Sequence, residues 1–384
     1  MDSCPNEILQ DIVNFLPEAD LFRLRLVERR LRDVSTRLAF SRLVVYDNIS
    51  SVQRFHNLVE CQDDMILHSV GHITFDGTSP DHFDVGAEPT PELLEKSFSL
   101  LSRFPKLESL RLDFFPDSAP DKNEMYLTYY VEVQIAFWIG LACTPLPQLR
   151  SLHIGSMVSY FPRCIDNDED PFLRLFHPLT SLSISVVSLF QPRRLPDEIL
   201  SFPQNVSNMV LAAQKLTSLD LGEHELAGTS HFAFERLTFS ALLSLRLHTF
   251  VFAGEKDDEV LPPPQVEGAQ QPFGVEKFIL RHKATLQHLQ LRDCAVASQI
   301  GGSWHCLLRR FRLQLSQLIE FIWIANSAHP DQEQNFVYAR PAGHLHTYTV
   351  IDEAFEFIAD DPQDVAALEE LQSVVLLRKN NITG

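Results

Sequence analysis

A Leu-x-x-Leu-x-Leu pattern recurs along the chain and constrains its fold more than any other feature of the sequence. Seven copies occur between residues 107 and 323, and Val70-Ile73-Phe75 has the same spacing at an earlier position. Repetition on this scale predicts stacked structural units, each of which buries its apolar side against the next. The seven copies are Leu107-Leu110-Leu112, Leu149-Leu152-Ile154, Leu179-Leu182-Ile184, Leu216-Leu219-Leu221, Leu242-Leu245-Leu247, Leu286-Leu289-Leu291 and Leu318-Phe321-Trp323.

Helix-like segments separate several of these copies. Counted from Val70, successive copies begin 26 to 44 residues apart, which is longer and less even than the roughly 20–29 residues of typical leucine-rich repeats. A strand followed by a helix, repeated many times, predicts a parallel β-sheet and therefore an α/β solenoid. The helix-like segments are Pro91 to Phe104, Met125 to Ala142, Pro196 to Ala213, Val275 to His282 and Trp304 to Leu315.

Each copy of the pattern predicts which of its side chains face solvent. Alternate residues of a strand point the same way. The first, fourth and sixth positions should therefore turn into the core, and the intervening ones should face outward, into the solvent on the inner curve of the solenoid. The outward set is either a solvated face without a ligand or a substrate-binding surface, because the concave faces of solenoids commonly bind other proteins. Its candidate members are Arg111, Asp113, His153, Asp220, Arg246, His248, Gln290 and Arg292.

Residues 1–45 differ from the repeat region at 46–384. They contain no Gly, and their apolar residues recur at three- and four-residue spacing, which indicates helices. Pro17 interrupts the pattern, so we predict three helices at roughly 5–15, 19–26 and 28–40. A unit of about 40 residues buries little core by itself, and it should need a partner surface or a neighbouring domain.

Two later segments have distinct patterns. Residues 254–274 include three consecutive prolines and predict a long surface loop. Residues 352–370 contain eight acids and no base, and an apolar stretch follows them. This pattern predicts either a final helix that caps the end of the stack or a disordered acidic tail.

The charge balance limits the partners of the chain. It carries 51 acidic and 32 basic residues, for a formal net charge of −19. This argues against binding to nucleic acids, which needs clustered Lys and Arg, and against a general affinity for anionic membranes. Residues 1–60 hold 8 bases and 9 acids, so residues 61–384 hold 24 bases and 42 acids, a net charge of −18. We therefore expect protein partners of the repeat region to be neutral or basic.

Sequence signals for compartment and chemistry are mostly negative. No secretory signal follows Met1, and no run of about 20 apolar residues occurs. The six cysteines are widely spaced without a Cys-x-x-Cys motif, which favours reduced thiols in the cytoplasm or nucleus. The common nucleotide-binding and hydrolase motifs are missing. We expect no catalytic residues, no cofactor and no metal.

The N-terminal block resembles an F-box. Residues 4–12 read Cys-Pro-Asn-Glu-Ile-Leu-Gln-Asp-Ile, Asp20-Leu21 follow, and then come Leu24-Arg25-Leu26-Val27 and Arg29-Arg30-Leu31. The family pattern is L-P-x-E-I-L-x-x-I, then Asp-Leu, then Leu-Arg-x-Val and a basic pair. Combined with the downstream repeats, the chain resembles the leucine-rich-repeat class of F-box proteins, particularly the degenerate forms common in fungi.

This resemblance implies a fold and a function. The fold would be α/β, a three-helix F-box followed by an irregular leucine-rich-repeat solenoid, or horseshoe. F-box helices present an apolar face to a Skp-family adaptor, which a cullin scaffold holds within an SCF-type ubiquitin ligase, while the repeats hold the substrate. The docking residues carried over to this chain are Pro5, Ile8, Leu9, Ile12, Leu16, Leu21, Leu24 and Val27.

The chain departs from the family pattern at several positions. Cys4 replaces the usual Leu and Leu31 replaces the usual aromatic residue, which predicts some loss of docking or packing area. Only Cys294 and Asn326 provide the Asn or Cys expected three residues after the last core position of a repeat. Two alternatives to a ligase subunit stay open: an interaction scaffold without a role in ubiquitination, and an unrecognised enzyme on the βα framework.

Overall fold

The structure is a computed structural model with two compact units. The first unit comprises Met1–Met157 and Asn167–Leu179, and the second comprises Val158–Asp166 and Thr180–Gly384. The expected helical head and the first repeats therefore belong to the same unit. The residues that the structure describes are 6–27, 29–77, 91–114, 124–158, 171–187, 198–223, 232–252, 274–297, 302–324, 336–339, 355–356 and 361–383.

The described part of the first unit begins with three helices and continues with alternating strands and helices. The three predicted N-terminal helices are confirmed, each within a few residues of its expected bounds. The elements are α1 (Asn6–Asn14), α2 (Glu18–Leu24), α3 (Arg29–Ala39), β1 (Arg42–Tyr46), α4 (Ile49–Glu60), α5 (Asp64–Leu67), β2 (His72–Asp76), α6 (Pro91–Phe98), β3 (Ser109–Asp113), α7 (Glu124–Ala142) and β4 (Ser151–Val158).

The N-terminal helices pack around a small apolar core. Helices α1 and α2 both contact α3, and the buried side chains include Leu9, Val13, Leu21 and Leu31. Leu31 occupies the position where the F-box pattern has an aromatic residue, and it is 6% exposed. It therefore contributes to the packing of the helices and not to an outer surface.

Strands β1 to β4 form a parallel ladder with a simple register. Leu110 pairs with Ile73 on one side and with Leu152 on the other. Strand β1 adds a copy of the repeat that we did not predict, because Phe40-x-x-Leu43-x-Val45 has the same spacing. The sheet therefore begins at residue 42, inside the segment that we expected to be purely helical.

Aromatic side chains fill the space between this ladder and the helices behind it. Phe137 on α7 lies 4.2 Å from Phe98 on α6 and 4.6 Å from Phe75 on β2, measured between ring centroids. Gly140 permits the close approach of α6 and α7, since a Cβ there would lie 2.8 Å from the Glu95 carbonyl oxygen. Burial of these rings is a major stabilising contribution to the unit.

The second unit repeats the same arrangement. The five predicted helix-like segments of the chain all form helices, three of them in this unit. Of the loop expected at 254–274, all residues but Gly274 lie outside the described residues, and Gly274 is the first residue of a helix. The elements are β5 (Ser181–Val187), α8 (Glu198–Ala212), β6 (Ser218–Glu223), β7 (Ser244–His248), β8 (Val251–Phe252), α9 (Gly274–Arg281), β9 (His288–Arg292), β10 (Ala295–Ala297), α10 (Trp304–Gln314), β11 (Glu320–Ile324), β12 (Val337–Ala339), β13 (Phe355–Glu356) and α11 (Pro362–Thr383).

Strands β5, β6, β7, β9 and β11 are parallel neighbours in register. The core row runs from Leu219 through Leu245 and Leu289 to Phe321, so the predicted copies align strand by strand. These core residues are buried, as the alternation predicted. The fold is therefore α/β and built on parallel strands. Among the described residues, no helix is both long and apolar enough to span a membrane.

The second unit also contains a smaller sheet, whose strands follow strands of the main sheet along the chain: β8 comes after β7, β10 after β9, and β12 and β13 after β11. Its order is β13-β12-β10-β8, and only the β12–β13 pair is antiparallel. The Trp304 indole N–H donates to the Val337 carbonyl oxygen at 3.0 Å, which ties α10 to this sheet. The Trp304 and Trp323 rings meet edge to face at 4.6 Å.

The C-terminal segment at 362–383 is helical, which favours the capping helix over the disordered tail for these residues. Helix α11 contacts α10 and β11. Its Leu371 and Val375 side chains are buried. Asp364, in its first turn, accepts hydrogen bonds from the His305 backbone N–H at 2.7 Å and from the Tyr338 hydroxyl. These bonds attach the start of α11 to α10 and β12.

Candidate functional site

Helix α1 separates its apolar residues into a buried stripe and an exposed stripe. Leu9 and Val13 are 6% and 2% exposed. In contrast, Ile8 and Ile12 of α1 are 48% and 53% exposed, and Phe15, in the turn directly after α1, is 88% exposed. The second set has spacings of four and three residues, which place its members side by side on one face of a helix. The N-terminal helices thus carry an apolar face that no described residue covers.

Helix α2 and the turn after it also carry exposed apolar side chains. Leu26 is 88% exposed, Val27 is 71% exposed and Phe22 is 38% exposed. We did not predict Phe15, Phe22 or Leu26 as docking residues. The spacing of Phe15 from Ile8 and Ile12 was the signal that could have identified it.

The structure divides seven of the eight predicted adaptor-docking residues into three groups. Ile8, Ile12 and Val27 are exposed, as a docking role requires. Leu16 and Leu24 are half-buried, whereas Leu9 and Leu21 are buried among the helices. Pro5 lies outside the described residues.

In the first unit, three of the predicted outward residues form one polar cluster on β3 and β4. Arg111 donates from Nε to Asp113 Oδ2 at 2.5 Å and from Nη2 to Oδ1 at 3.2 Å. His153 Nε2 lies 3.1 Å from Asp113 Oδ1. Gly155 is the register partner of Asp113, and a side chain there would collide with the carboxylate. The cluster therefore depends on a glycine at this position.

The environment of Asp113 lowers the pKa of its carboxyl group. Burial acts in the opposite direction, because it disfavours the charged form, but the hydrogen bonds and charges of His153 and Arg111 outweigh it. The carboxylate is therefore ionised at neutral pH and held by two neighbours. The cluster is a polar, partly exposed surface with a fixed geometry.

The second unit places its predicted outward residues on β6, β7 and β9. His248 Nε2 lies 3.1 Å from Asp220 Oδ1. Arg292 donates to Asp293 at 3.2 Å. Arg246 is exposed and has no hydrogen bond or ion pair within the described part of the chain. Its register partners are Asp220 on β6 and Gln290 on β9.

Sequence reasoning missed the acidic residue that completes this face. Glu320 on β11 accepts a hydrogen bond from His288 Nδ1 at 2.9 Å. Both residues occupy the position before the fourth residue of the pattern, where each strand begins. The alternation rule, extended two residues towards the N-terminal end of each strand, would have included them.

The turns that follow the strands contain the expected repeat cysteine. The Cys294 thiol donates to the Leu247 carbonyl oxygen at 3.6 Å and to the Arg292 carbonyl oxygen at 3.2 Å, so it links neighbouring repeats. Burial raises its pKa to about 12, although nearby backbone hydrogen bonds lower it. A thiol of this kind is structural and a poor nucleophile. Asn326, the other predicted residue, lies outside the described residues.

Titratable groups in the described regions form no cluster of three or more His, Cys, Asp or Glu side chains able to hold a metal ion. Burial raises the pKa of Asp364, although its hydrogen bonds from Tyr338 and His305 lower it. The pKa of Tyr338 is also raised, by burial and by the adjacent carboxylate. Because this pair connects three structural elements, we assign it a structural role.

These geometries define an α/β protein of in-register parallel strands, with polar outer faces and an exposed apolar face on its N-terminal helices. Neither the comparison with protein-family models nor the comparison with curated proteins finds a match to the chain. A functional assignment must therefore come from the residues described above.

Proposed function

We propose that the chain is the substrate-recognition subunit of an SCF-type ubiquitin ligase. In this proposal the N-terminal helices are an F-box that binds a Skp-family adaptor, and the adaptor connects the chain to a cullin. The parallel strands and their helices form an irregular leucine-rich-repeat solenoid that holds the protein to be modified.

The observation that carries the proposal is the exposed stripe of Ile8, Ile12 and Phe15. A helix whose other apolar stripe already serves the core has no intramolecular reason to present large apolar side chains to water. Burying such a side chain at an interface contributes roughly 1.5–3 kcal/mol. The stripe also coincides with the part of the sequence that resembles the adaptor-binding motif.

The mechanism that follows is one of proximity. The chain performs no covalent step; it raises the effective concentration of substrate lysines near a conjugating enzyme held by the cullin. Its own contribution is selective binding at two separate surfaces, the apolar helical face and the polar strand faces.

The test is co-purification of a Skp-family adaptor with variants of α1. The double variant Ile8→Asp with Ile12→Asp should lose the adaptor, because each side chain that the adaptor would bury is replaced by a charge without a partner. Loss of about 3 kcal/mol or more corresponds to at least about a 100-fold weaker affinity. Leu9 is a poor choice for this test, since it is buried and its substitution would unfold the helices.

A matched control uses the exposed polar residues of the same helix. Gln10→Asp with Asn14→Asp adds the same two charges to α1 and should retain the adaptor. Circular dichroism would verify that both variants stay folded. Equal adaptor binding by the two double variants would overturn the docking assignment.

The scaffold alternative differs from the ligase proposal in whether the complex of chain and adaptor recruits a cullin. Reconstitution with adaptor and cullin should give a complex of all three proteins if the chain is a ligase subunit. An adaptor complex that fails to recruit the cullin would favour a scaffold.

A further inference from the structure

A depression of about 210 Å³ crosses β7, β9 and β11 on the outer face of the second unit. Two rows of side chains form its walls, and the strand register aligns the members of each row. Within each strand the two rows are two residues apart, so all of these side chains point to the same face. One wall consists of Arg246, Gln290 and Ile322, and the other consists of Ser244, His288 and Glu320.

The two walls carry opposite charges at opposite ends. Arg246 stands on β7 without a hydrogen bond or ion pair among the described residues, although its register partner on β6 is Asp220, whose Oδ1 lies 3.1 Å from His248 Nε2. Glu320 stands on β11, on the other wall, and its side chain is 44% exposed despite its contact with His288. The residues that line the depression therefore include one formal cation and one formal anion, with Asp220 adjacent to the cation, although the chain as a whole has a net charge of −19.

The spacing of these charges matches an extended peptide. Strand β9 separates β7 from β11, and two strand spacings of about 4.8 Å amount to about 10 Å. An extended chain rises about 3.3 Å per residue, so three residues cover the same distance. Residues three apart in an extended chain point to opposite sides, and Arg246 and Glu320 stand on opposite walls.

We propose that this depression binds an extended segment of a protein substrate in which an acidic and a basic residue lie three positions apart. The acid meets Arg246 and the base meets Glu320. The residue two positions from the acid, on the side of the base, returns to the first wall beside Gln290 and Ile322, where an apolar side chain fits. The inference rests on the proposed function, because it names the class of substrate. It predicts that the substrate is recognised by the spacing of one acid and one base, and not by its overall charge.

The experiment measures the binding of labelled peptides to the full chain by fluorescence anisotropy at low salt. The probe contains Glu-Ala-Leu-Lys between short Gly-Ser flanks. A second peptide has Glu and Lys adjacent, and a third replaces both with Gln. We expect saturable binding of the probe with a Kd on the order of 0.1–1 mM, weakened by salt, and at least about fivefold weaker binding of the other two.

Variants of the chain locate the site. Arg246→Gln and Glu320→Gln should each weaken binding of the probe at least about fivefold. Arg309→Gln removes the same charge from an exposed position on α10 and should leave binding unchanged. A probe with Gln in place of Glu should bind Arg246→Gln as well as it binds the unmodified chain, because the acid and Arg246 act as a pair.

Several results would overturn the inference: no saturable binding of the labelled probe as the chain is titrated to about 1 mM, equal binding of the three peptides, or no effect of Arg246→Gln. Adaptor co-purification separates this failure from failure of the proposed function. Arg246→Gln should retain the adaptor, and the Ile8 and Ile12 double variant should retain the peptide. Peptide binding by a chain that never binds an adaptor would leave the site valid and reject the ligase role.

Discussion

Asp113 Oδ1 on β3 lies 3.1 Å from His153 Nε2 on β4, and the register partner of Asp113 is Gly155. The contact exists because residue 155 has no side chain, since a Cβ at this position would collide with the same carboxylate oxygen. A glycine within a strand usually destabilises it. Here the glycine makes room for a charged cluster on the outer face.

Gly155→Ala should therefore have opposite effects in two backgrounds. In the unmodified chain the new methyl group displaces the carboxylate, and we expect the free energy of unfolding to fall by about 0.5–1.5 kcal/mol. In an Asp113→Ala background the collision with the carboxylate is absent, and His153 Nε2, 3.2 Å from the new methyl group, can shift because its acidic partner is gone. The same change should then stabilise by about 0.4–1 kcal/mol through the unfolded state. Urea unfolding of the four proteins measures both effects. The same sign in both backgrounds would contradict the role of Gly155.

Asp113 should also make stability depend on pH. Its pKa in the folded protein is below the ordinary value, so its contribution is present at neutral pH and is lost as the pH falls through the lowered folded pKa. Asp113→Asn should therefore destabilise the chain at pH 7 and make little difference at a pH below that folded value. Urea unfolding at pH 7, 4 and 3 gives the comparison. Asp33→Asn, at an exposed site on α3, is the control and should change little at any pH.

His282 should produce the reverse dependence at milder pH. The Phe239 N–H donates to His282 Nε2 at 2.9 Å, so Nδ1 carries the proton and faces the Phe278 carbonyl oxygen at 2.8 Å. Burial lowers the pKa of this imidazole, and nearby Arg281 adds to the effect, although the Phe278 contact raises it. Below about pH 6.5 this imidazole binds a proton in the unfolded chain but stays neutral in the folded chain, so the free energy of unfolding falls as the pH is lowered.

The matching variant is His282→Gln. It should be less stable at pH 7.5, because the Phe239 N–H loses a good acceptor, by about 1–3 kcal/mol. Between pH 6.5 and the lowered folded pKa, its free energy of unfolding should fall less steeply than that of the unmodified chain, by up to about 1.4 kcal/mol per pH unit. His72→Gln, on the exposed side of β2, should retain the full slope. Identical slopes for all three proteins would reject the buried neutral imidazole.

Cys294 should resist alkylation in the folded chain. With a pKa of about 12, roughly one thiol in 10,000 is ionised at pH 8. Iodoacetamide at pH 8 should label the exposed Cys143 and leave Cys294 unmodified, and unfolding in urea should remove the difference. Peptide mass spectrometry quantifies each site. Labelling of Cys294 at the rate of Cys143 would show that the turn opens readily.

Much of the fold was predictable because its signals are local. The spacing of Leu110 and Leu112 specifies a strand with one buried face, and the apolar pattern of residues 125–142 specifies a helix. We did not predict strand β1, because the helical pattern of α3 continues up to Ala39. Phe40, the first core residue of this repeat, follows directly after it.

The candidate sites were less predictable, because burial depends on what else packs nearby. Ile8 and Leu9 are adjacent apolar residues on the same helix, and only the position of α3 makes one exposed and the other buried. The outward direction of Arg246 followed from alternation, but its lack of an ion pair with its register partner Asp220 could be read only from the side-chain positions in the folded chain.

The sequence by itself determined the strands, the helices between them and the direction in which each strand side chain points, since these depend on periods of two and 3.6 residues along one segment. Only the tertiary structure decided which charges meet. Arg246 and Glu320 are 74 residues apart in sequence, and they border one depression because the parallel register aligns Ser244, His288 and Glu320 across three strands. Pairing of this kind depends on how separate segments pack together, and no local period encodes it.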